Sequence, residues 1–165
     1  MRTLGVILAS GALAAAAVVG LIPTASAAPA QRAAAPPPCQ AGYTEMHITS
    51  GGQNLYLDAE GIGNQVKITD TPTCWHPGDS GSYSYITDNS GNCLNWGHNI
   101  VTMIVCNGAQ SEMWEAHAAG GVVTFDNLWA THNLGDQVWL GADGFYNGTP
   151  VTLLTTPSFE INWIY

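Results

Sequence analysis

Short runs of β-branched and aromatic residues, separated by glycine-containing turns, follow one another from Tyr43 to the last residue. Pairs such as Gly-Gly, Asn-Gly, Asp-Gly and Pro-Gly mark the turns between these runs. Beyond the N-terminal segment, no window longer than about ten residues has a helical period. The pattern predicts an all-β domain at residues 43–165, with short strands at 44–49, 54–58, 65–70, 82–88, 92–96, 101–106, 113–116, 122–126, 137–140, 151–155 and 161–165.

A weak internal repeat runs through these strands. Residues 47–58 align with 85–95, and more loosely with 123–126 followed, after an insertion, by 135–141. Each copy has a leucine and ends at a tryptophan; these are Leu57, Leu94 and Leu140, and Trp75, Trp114 and Trp163. In the first copy Tyr83 competes with Trp75 for the last position. One copy of about 40 residues has too little apolar surface to be stable, so we expect three four-stranded copies to share one core.

The first 27 residues have the features of a signal peptide. Arg2 precedes an apolar run at residues 4–22, and Ala25-Ser26-Ala27 supplies the small residues that a signal peptidase recognises. A membrane anchor would fit the length of this run, but most of it is weakly apolar Ala and Gly. We therefore expect a signal peptide at 1–27, a flexible Ala/Pro-rich leader at 28–42, and an extracellular domain at 43–165.

Charge limits the partners of the mature chain. After residue 27 there are twelve acidic residues and two basic ones, Arg32 and Lys67. Nucleic acids and anionic membranes are bound by basic patches, so neither is an expected partner. We expect an acidic, soluble monomer whose partner is a glycan or an extracellular protein.

All four cysteines lie in the mature chain, where a secreted protein normally forms disulfides. Three pairings are possible. The spacing of Cys93 and Cys106 suits adjacent strands, which leaves Cys39 to pair with Cys74. No Cys-x-x-Cys pair is present for zinc.

The residues at the ends of the repeats resemble those of the ricin-B-type β-trefoil lectins over residues 43–165. Repeats of this family have a Cys-Leu-Asp strand, a second cysteine and a Gln-x-Trp end. The second copy resembles all three elements, with Cys93-Leu94-Asn95, Cys106 and Glu112-Met113-Trp114. The first copy has Leu57-Asp58 and Thr73-Cys74-Trp75, and the third has Leu140 and Ile161-Asn162-Trp163. The resemblance implies a disulfide-stabilised β-trefoil that binds sugars. Glutamine is replaced in all three Gln-x-Trp positions, and no copy keeps the family's full pocket.

Three residues are the candidate sugar contacts. Asp58 and Asn95 directly follow a core leucine, so strand alternation directs them away from the core, where they can bind hydroxyl groups. Trp96 is the candidate ring for stacking on a sugar face. We expect Trp75, Trp114 and Trp163 to fill the core instead.

Motifs for catalysis are missing from the sequence. It has no Gly-x-Ser-x-Gly motif, no Glu-x-x-His pair, and no recognisable pairing of carboxylates for glycoside hydrolysis. We expect no enzyme activity, no cofactor and no metal. The function hypothesis is a secreted carbohydrate-binding protein; the alternative is a trefoil protease inhibitor or protein-interaction module that presents residues 73–82 as a rigid loop.

Overall fold

A computed structural model describes residues 38–48, 53–135 and 137–156, and the backbone of 161–163. The expected signal peptide at 1–27 lies outside these residues, as does most of the leader. Within the described ranges, no helix has the length and hydropathy needed to cross a bilayer.

The fold is all-β, as expected. The described residues form thirteen strands: β1 (Thr44–Ile48), β2 (Leu55–Asp58), β3 (Lys67–Thr69), β4 (Cys74–His76), β5 (Tyr83–Tyr85), β6 (Thr87–Asp88), β7 (Asn92–Gly97), β8 (Ile100–Val105), β9 (Met113–Ala119), β10 (Val122–Asn127), β11 (Trp139–Ala142), β12 (Thr149–Leu154) and β13 (Ile161–Trp163). A 3₁₀ turn at Gln110–Glu112 and helix α1 at Leu128–Leu134 complete the elements. The strands pair antiparallel in one curled sheet.

Two kinds of strand make up this sheet. One set is paired in the order β5, β9, β10, β13, β1, β4 and β6. Residue Ile86 of the chain joins β5 directly to β6 and so completes a circuit. The remaining strands form three hairpins, β2–β3, β7–β8 and β11–β12. Strands of the circuit thus alternate along the chain with hairpins.

The three hairpins meet at equivalent valines. Val66, Val101 and Val151 are all fully buried. The backbone N–H of Val66 donates to the carbonyl of Val101 at 2.9 Å, and that of Val151 donates to the carbonyl of Val66 at 2.8 Å. The apolar strands that follow the leucines therefore contact one another directly.

Two tryptophans occupy matching positions in the core. The indole Nε1 of Trp75 donates to the carbonyl of Leu57, and that of Trp114 to the carbonyl of Leu94, both at 2.9 Å. Both rings are buried. Trp75, and not Tyr83, is therefore the counterpart of Trp114 in the first copy. The side chain of Trp163 lies outside the described residues.

Both expected disulfides are present. Cys39 is joined to Cys74 and Cys93 to Cys106, with Cα–Cα distances of 5.5 and 5.0 Å. The first bond ties the segment before β1 to β4, and the second closes the base of the β7–β8 hairpin. Two disulfides are compatible with an extracellular protein.

Helix α1 departs from the sequence expectation, which contained no helix in the domain. It lies in the insertion of the third copy and has seven residues. Helical periodicity is read in a window of about 11–18 residues, so a helix of this length gives no detectable pattern. The side chain of Asn127 caps its N-terminus by accepting from Ala130 N, and Gly135 ends it with a φ of 76°. Both are standard helix-capping signals.

Candidate functional site

The hairpins place two of the three predicted sugar contacts as strand alternation requires. Asp58 and Asn95 are half-buried, and the leucine before each is in the core. Both polar side chains therefore lie on the outward side of their hairpins, but in two different copies of the repeat.

A threonine holds the side chain of Asp58. The hydroxyl of Thr73 donates to Asp58 Oδ1 and accepts from the N–H of Ala59 at 3.4 Å. Among the described residues, no partner bonds the second carboxylate oxygen of Asp58. Asp58 can thus accept a hydrogen bond from a ligand, yet no described aromatic ring is in contact with it.

The side chain of Asn95 belongs to a longer hydrogen-bonded chain. Ser111 Oγ donates to Asn95 Oδ1 at 2.8 Å, and the carbonyl of Ser111 accepts from Asn127 Nδ2 at 2.9 Å. Asn127 in turn caps α1 through Ala130 N at 3.2 Å. This chain links the Asn95 hairpin to the first turn of the insertion helix.

The turn that carries Ser111 is fixed by a buried carboxylate. Glu112 is fully buried and accepts from the backbone N–H groups of Asn107 and Gly108 at 3.1 to 3.2 Å. Glu112 stands at the position where the lectin-type motif has glutamine. A carboxylate that accepts several N–H bonds orders the segment between β8 and the 3₁₀ turn, and so positions Ser111.

Trp96 does not have the role expected for it. It is 9% exposed and packs on Trp129 of α1, with ring centroids 5.2 Å apart and planes tilted by 46°. Trp96 lies two residues beyond Leu94, so alternation directs it to the core side of β7. Trp129 is the outer ring of the pair and is 38% exposed.

The candidate ligand contacts are therefore Asn95 and Ser111, which hydrogen-bond each other, and Trp129, the exposed ring of the helix that Asn127 joins to Ser111. The carboxamide and hydroxyl can bond ligand hydroxyls, and an indole backed by a second indole offers a fixed face for packing. Trp129 is not among the three predicted contacts because its place depends on α1, although its position in a repeat insertion beside His132 and Asn133 marked it as a possible ring.

The segment expected to form an inhibitory loop is not a free loop. Cys74–His76 is strand β4, Asp79 N donates to Ser84 Oγ at 2.9 Å, and Ser80 forms a bridge with Ala116 of β9. Residues 77–80 line one side of an open cleft of about 370 Å³, whose floor includes Ala116 and Val123. The Ser80–Ala116 bridge and the bond from Gly81 N–H to the Ala116 carbonyl at 3.4 Å brace the segment on β9, while residues 79–82 remain exposed.

Comparison with known proteins links this chain to others through its fold. No protein-family model and no curated protein matches the sequence. A GlcNAcα1-4Gal releasing endo-β-galactosidase from Clostridium perfringens is similar in structure, with a TM-score of 0.56 and 14% identity over 74% of this chain. This chain spans 32% of that enzyme's chain. The cytolethal distending toxin of Haemophilus ducreyi matches 73% of this chain and 81% of its own, with 17% identity and a TM-score of 0.48. The resemblance to the endo-β-galactosidase chain is one of fold.

Proposed function

We propose that this protein is a secreted, non-catalytic carbohydrate-binding protein with a three-fold β-trefoil architecture. The alternation of circuit strands with three hairpins supports the trefoil. The matching Trp75–Leu57 and Trp114–Leu94 hydrogen bonds support the repeat. The two disulfides agree with secretion, and the signal peptide at 1–27 follows from the sequence.

The surface of Asn95, Ser111 and Trp129 is the proposed sugar site. The observation that carries this proposal is the hydrogen-bonded chain from Asn95 through Ser111 and Asn127 to the helix that bears Trp129. Ser111 occupies Asn95 Oδ1, so the amide Nδ2 is directed to a ligand as a donor. The Asp58–Thr73 pair is a second, weaker contact, because it has no ring beside it.

Binding without catalysis fits the groups at these two contacts. Hydrolysis of a glycosidic bond needs two carboxyl groups on either side of it. The Asn95 surface has a carboxamide and a hydroxyl, and the other contact has one carboxylate, Asp58. The protease-inhibitor alternative stays the second candidate, because residues 79–82 are exposed and Ser80 is braced on Ala116 of β9.

The fold likeness to an enzyme that releases GlcNAcα1-4Gal suggests the first ligands to examine. We propose galactose, N-acetylglucosamine and the GlcNAcα1-4Gal disaccharide. A shallow site of this kind should bind with a Kd of about 1 mM, which corresponds to about −4 kcal/mol.

Titration of these sugars should quench or shift tryptophan fluorescence and move the side-chain amide signal of Asn95. We expect Trp129→Ala and Asn95→Ala each to weaken binding by about tenfold, the equivalent of about 1.4 kcal/mol for a lost stacking or hydrogen-bond contact. Asp58→Ala should weaken it less.

Tyr146→Ala is the matched control, because Tyr146 is also an exposed aromatic residue but lies in the β11–β12 turn. The Tyr146→Ala variant should bind the sugars with the same affinity as the wild type. Equal binding by wild type, Trp129→Ala and Asn95→Ala would place the site elsewhere. If no glycan binds, on an array or at millimolar concentration in solution, a protein partner would be favoured.

A further inference from the structure

A second polar cluster lies on β9 and β10, apart from the proposed sugar contacts. Glu115 and His117 are two residues apart, so they lie on the same side of β9. Asp126 of β10 pairs directly across from Glu115, and Thr124 pairs across from His117. We call Glu115, His117 and Asp126 the Asp126 cluster.

The side chains of the Asp126 cluster lie close to the spacing of zinc ligands. His117 Nε2 lies 2.9 Å from Asp126 Oδ1 and 3.7 Å from Glu115 Oε2. One possible ligand atom from each of the three residues lies within 4.8 Å of the others. Around a tetrahedral Zn²⁺ with bonds of about 2.0–2.1 Å, ligand atoms are about 3.4 Å apart. Small side-chain rotations would bring the three atoms to these positions.

Asp126 is oriented by groups outside the cluster. Its carboxylate is 1% exposed, and Oδ2 accepts from the hydroxyls of Tyr83 at 3.2 Å and Thr131 at 3.3 Å. The other oxygen, Oδ1, is thereby directed to His117. Trp139 packs edge-on against the imidazole, with ring centroids 5.1 Å apart. Hydrogen bonds that fix a ligating carboxylate are typical of protein metal sites.

The Asp126 cluster has no lysine or arginine beside it among the described residues; its one group that can carry a positive charge is His117, when protonated. Within the described residues the one Lys or Arg is Lys67, which bonds Glu60. A buried carboxylate is costly unless a positive charge compensates it.

We propose that Glu115, His117 and Asp126 bind one Zn²⁺ ion. The imidazole favours zinc over calcium and magnesium, which prefer sets composed of oxygen ligands. The side chains of Glu115 and His117 are 27% and 35% exposed, so the ion can enter from solvent and keep a fourth position for water or a ligand. No metal-ligand spacing is visible in the sequence, since Asp126 joins the other two residues only through the register of β9 and β10. This proposal is independent of glycan binding.

The test is a titration of the chelator-treated full chain with ZnCl₂ in competition with a chromogenic zinc chelator. We expect one Zn²⁺ per chain. His117→Ala, Glu115→Gln and Asp126→Asn should each weaken zinc binding at least about tenfold. Because Asp126 is buried and its variant can unfold, the partly exposed Glu115 and His117 decide the result. Circular dichroism of each variant establishes that it is folded.

The chain provides a matched control in β1. Glu45 and His47 form the same Glu-x-His pair, with His47 Nε2 3.2 Å from Glu45 Oε2, but they belong to no three-residue ligand group in the described part of the chain. His47→Ala should leave zinc binding unchanged, and the imidazole NMR signals of His117, not those of His47, should shift on titration.

Three results would overturn the proposal. The first is the absence of stoichiometric zinc binding at about 0.1 mM metal, the tight end of the range for extracellular calcium modules. The second is equal zinc binding by the wild type and folded His117→Ala or Glu115→Gln. The third is tighter binding of Ca²⁺ than of Zn²⁺.

Discussion

Replacing Trp114 with alanine should lower the free energy of unfolding by about 3–5 kcal/mol, the range for truncating a large aromatic residue in a core. The ring is almost fully buried. Its Nε1 also satisfies the carbonyl of Leu94, which would lose its side-chain partner in the variant. Both the cavity and the lost hydrogen bond act in the same direction. Denaturant unfolding followed by circular dichroism measures the loss, and Trp75→Ala should behave alike because Trp75 bonds Leu57 in the same way.

Two further variants separate the contribution of the Trp114 hydrogen bond from that of ring burial. Trp114→Phe keeps most of the ring and removes the hydrogen bond, so its loss should be about 1–3 kcal/mol. Trp129→Ala removes an indole that is partly in solvent and should cost less than half as much as Trp114→Ala. Trp96→Ala should cause a loss closer to that of Trp114→Ala, because the Trp96 ring is only 9% exposed. A Trp129→Ala loss equal to that of Trp114→Ala would contradict this assignment of the core.

Removal of the Cys39–Cys74 disulfide should cost about 4 kcal/mol. The bond joins residues 35 apart in sequence, and closing a loop of this length restricts the unfolded chain by about that free energy. The Cys93–Cys106 bond spans 13 residues and should contribute about 3 kcal/mol on the same basis. The measurement is denaturant unfolding of the Cys39→Ala/Cys74→Ala double variant against the wild type.

The single variant Cys39→Ala provides the control, because the bond is absent whether one or both cysteines are replaced. Its loss should be close to that of the double variant when both are measured without reductant, so that the Cys93–Cys106 bond stays intact. A loss below about 1 kcal/mol in the double variant would mean that the segment before β1 is held to β4 mainly by other contacts.

Much of the fold could be predicted because it rests on repeated local signals. Apolar runs and glycine turns predicted the β class, and recurrent leucines and tryptophans predicted that Trp75 and Trp114 are core residues. Two features could not be predicted in this way. Helix α1 is shorter than a periodicity window, and the choice between Trp75 and Tyr83 needed the hydrogen bond to Leu57.

The candidate site could be predicted in part. Alternation correctly directed Asp58 and Asn95 outward, and the same rule, applied two residues beyond Leu94, would have directed Trp96 inward. The contribution of Trp129 depends on how α1 docks on β7 and the 3₁₀ turn, which no local pattern contains. The Asp126 cluster likewise depends on the pairing of Glu115 with Asp126 across two strands.

The pairing of β1 with β13 has a consequence for folding kinetics. Met46 pairs with Trp163, so strands from opposite ends of the described chain are neighbours in the sheet. Contacts between residues so distant in sequence require a large loop to close before they contribute free energy, and all-β domains rich in them fold over about milliseconds to seconds. We expect β13 to dock late, after the hairpins have formed. Stopped-flow refolding combined with pulsed hydrogen exchange would detect this order, and early protection of the β1 amides that face β13 would exclude it.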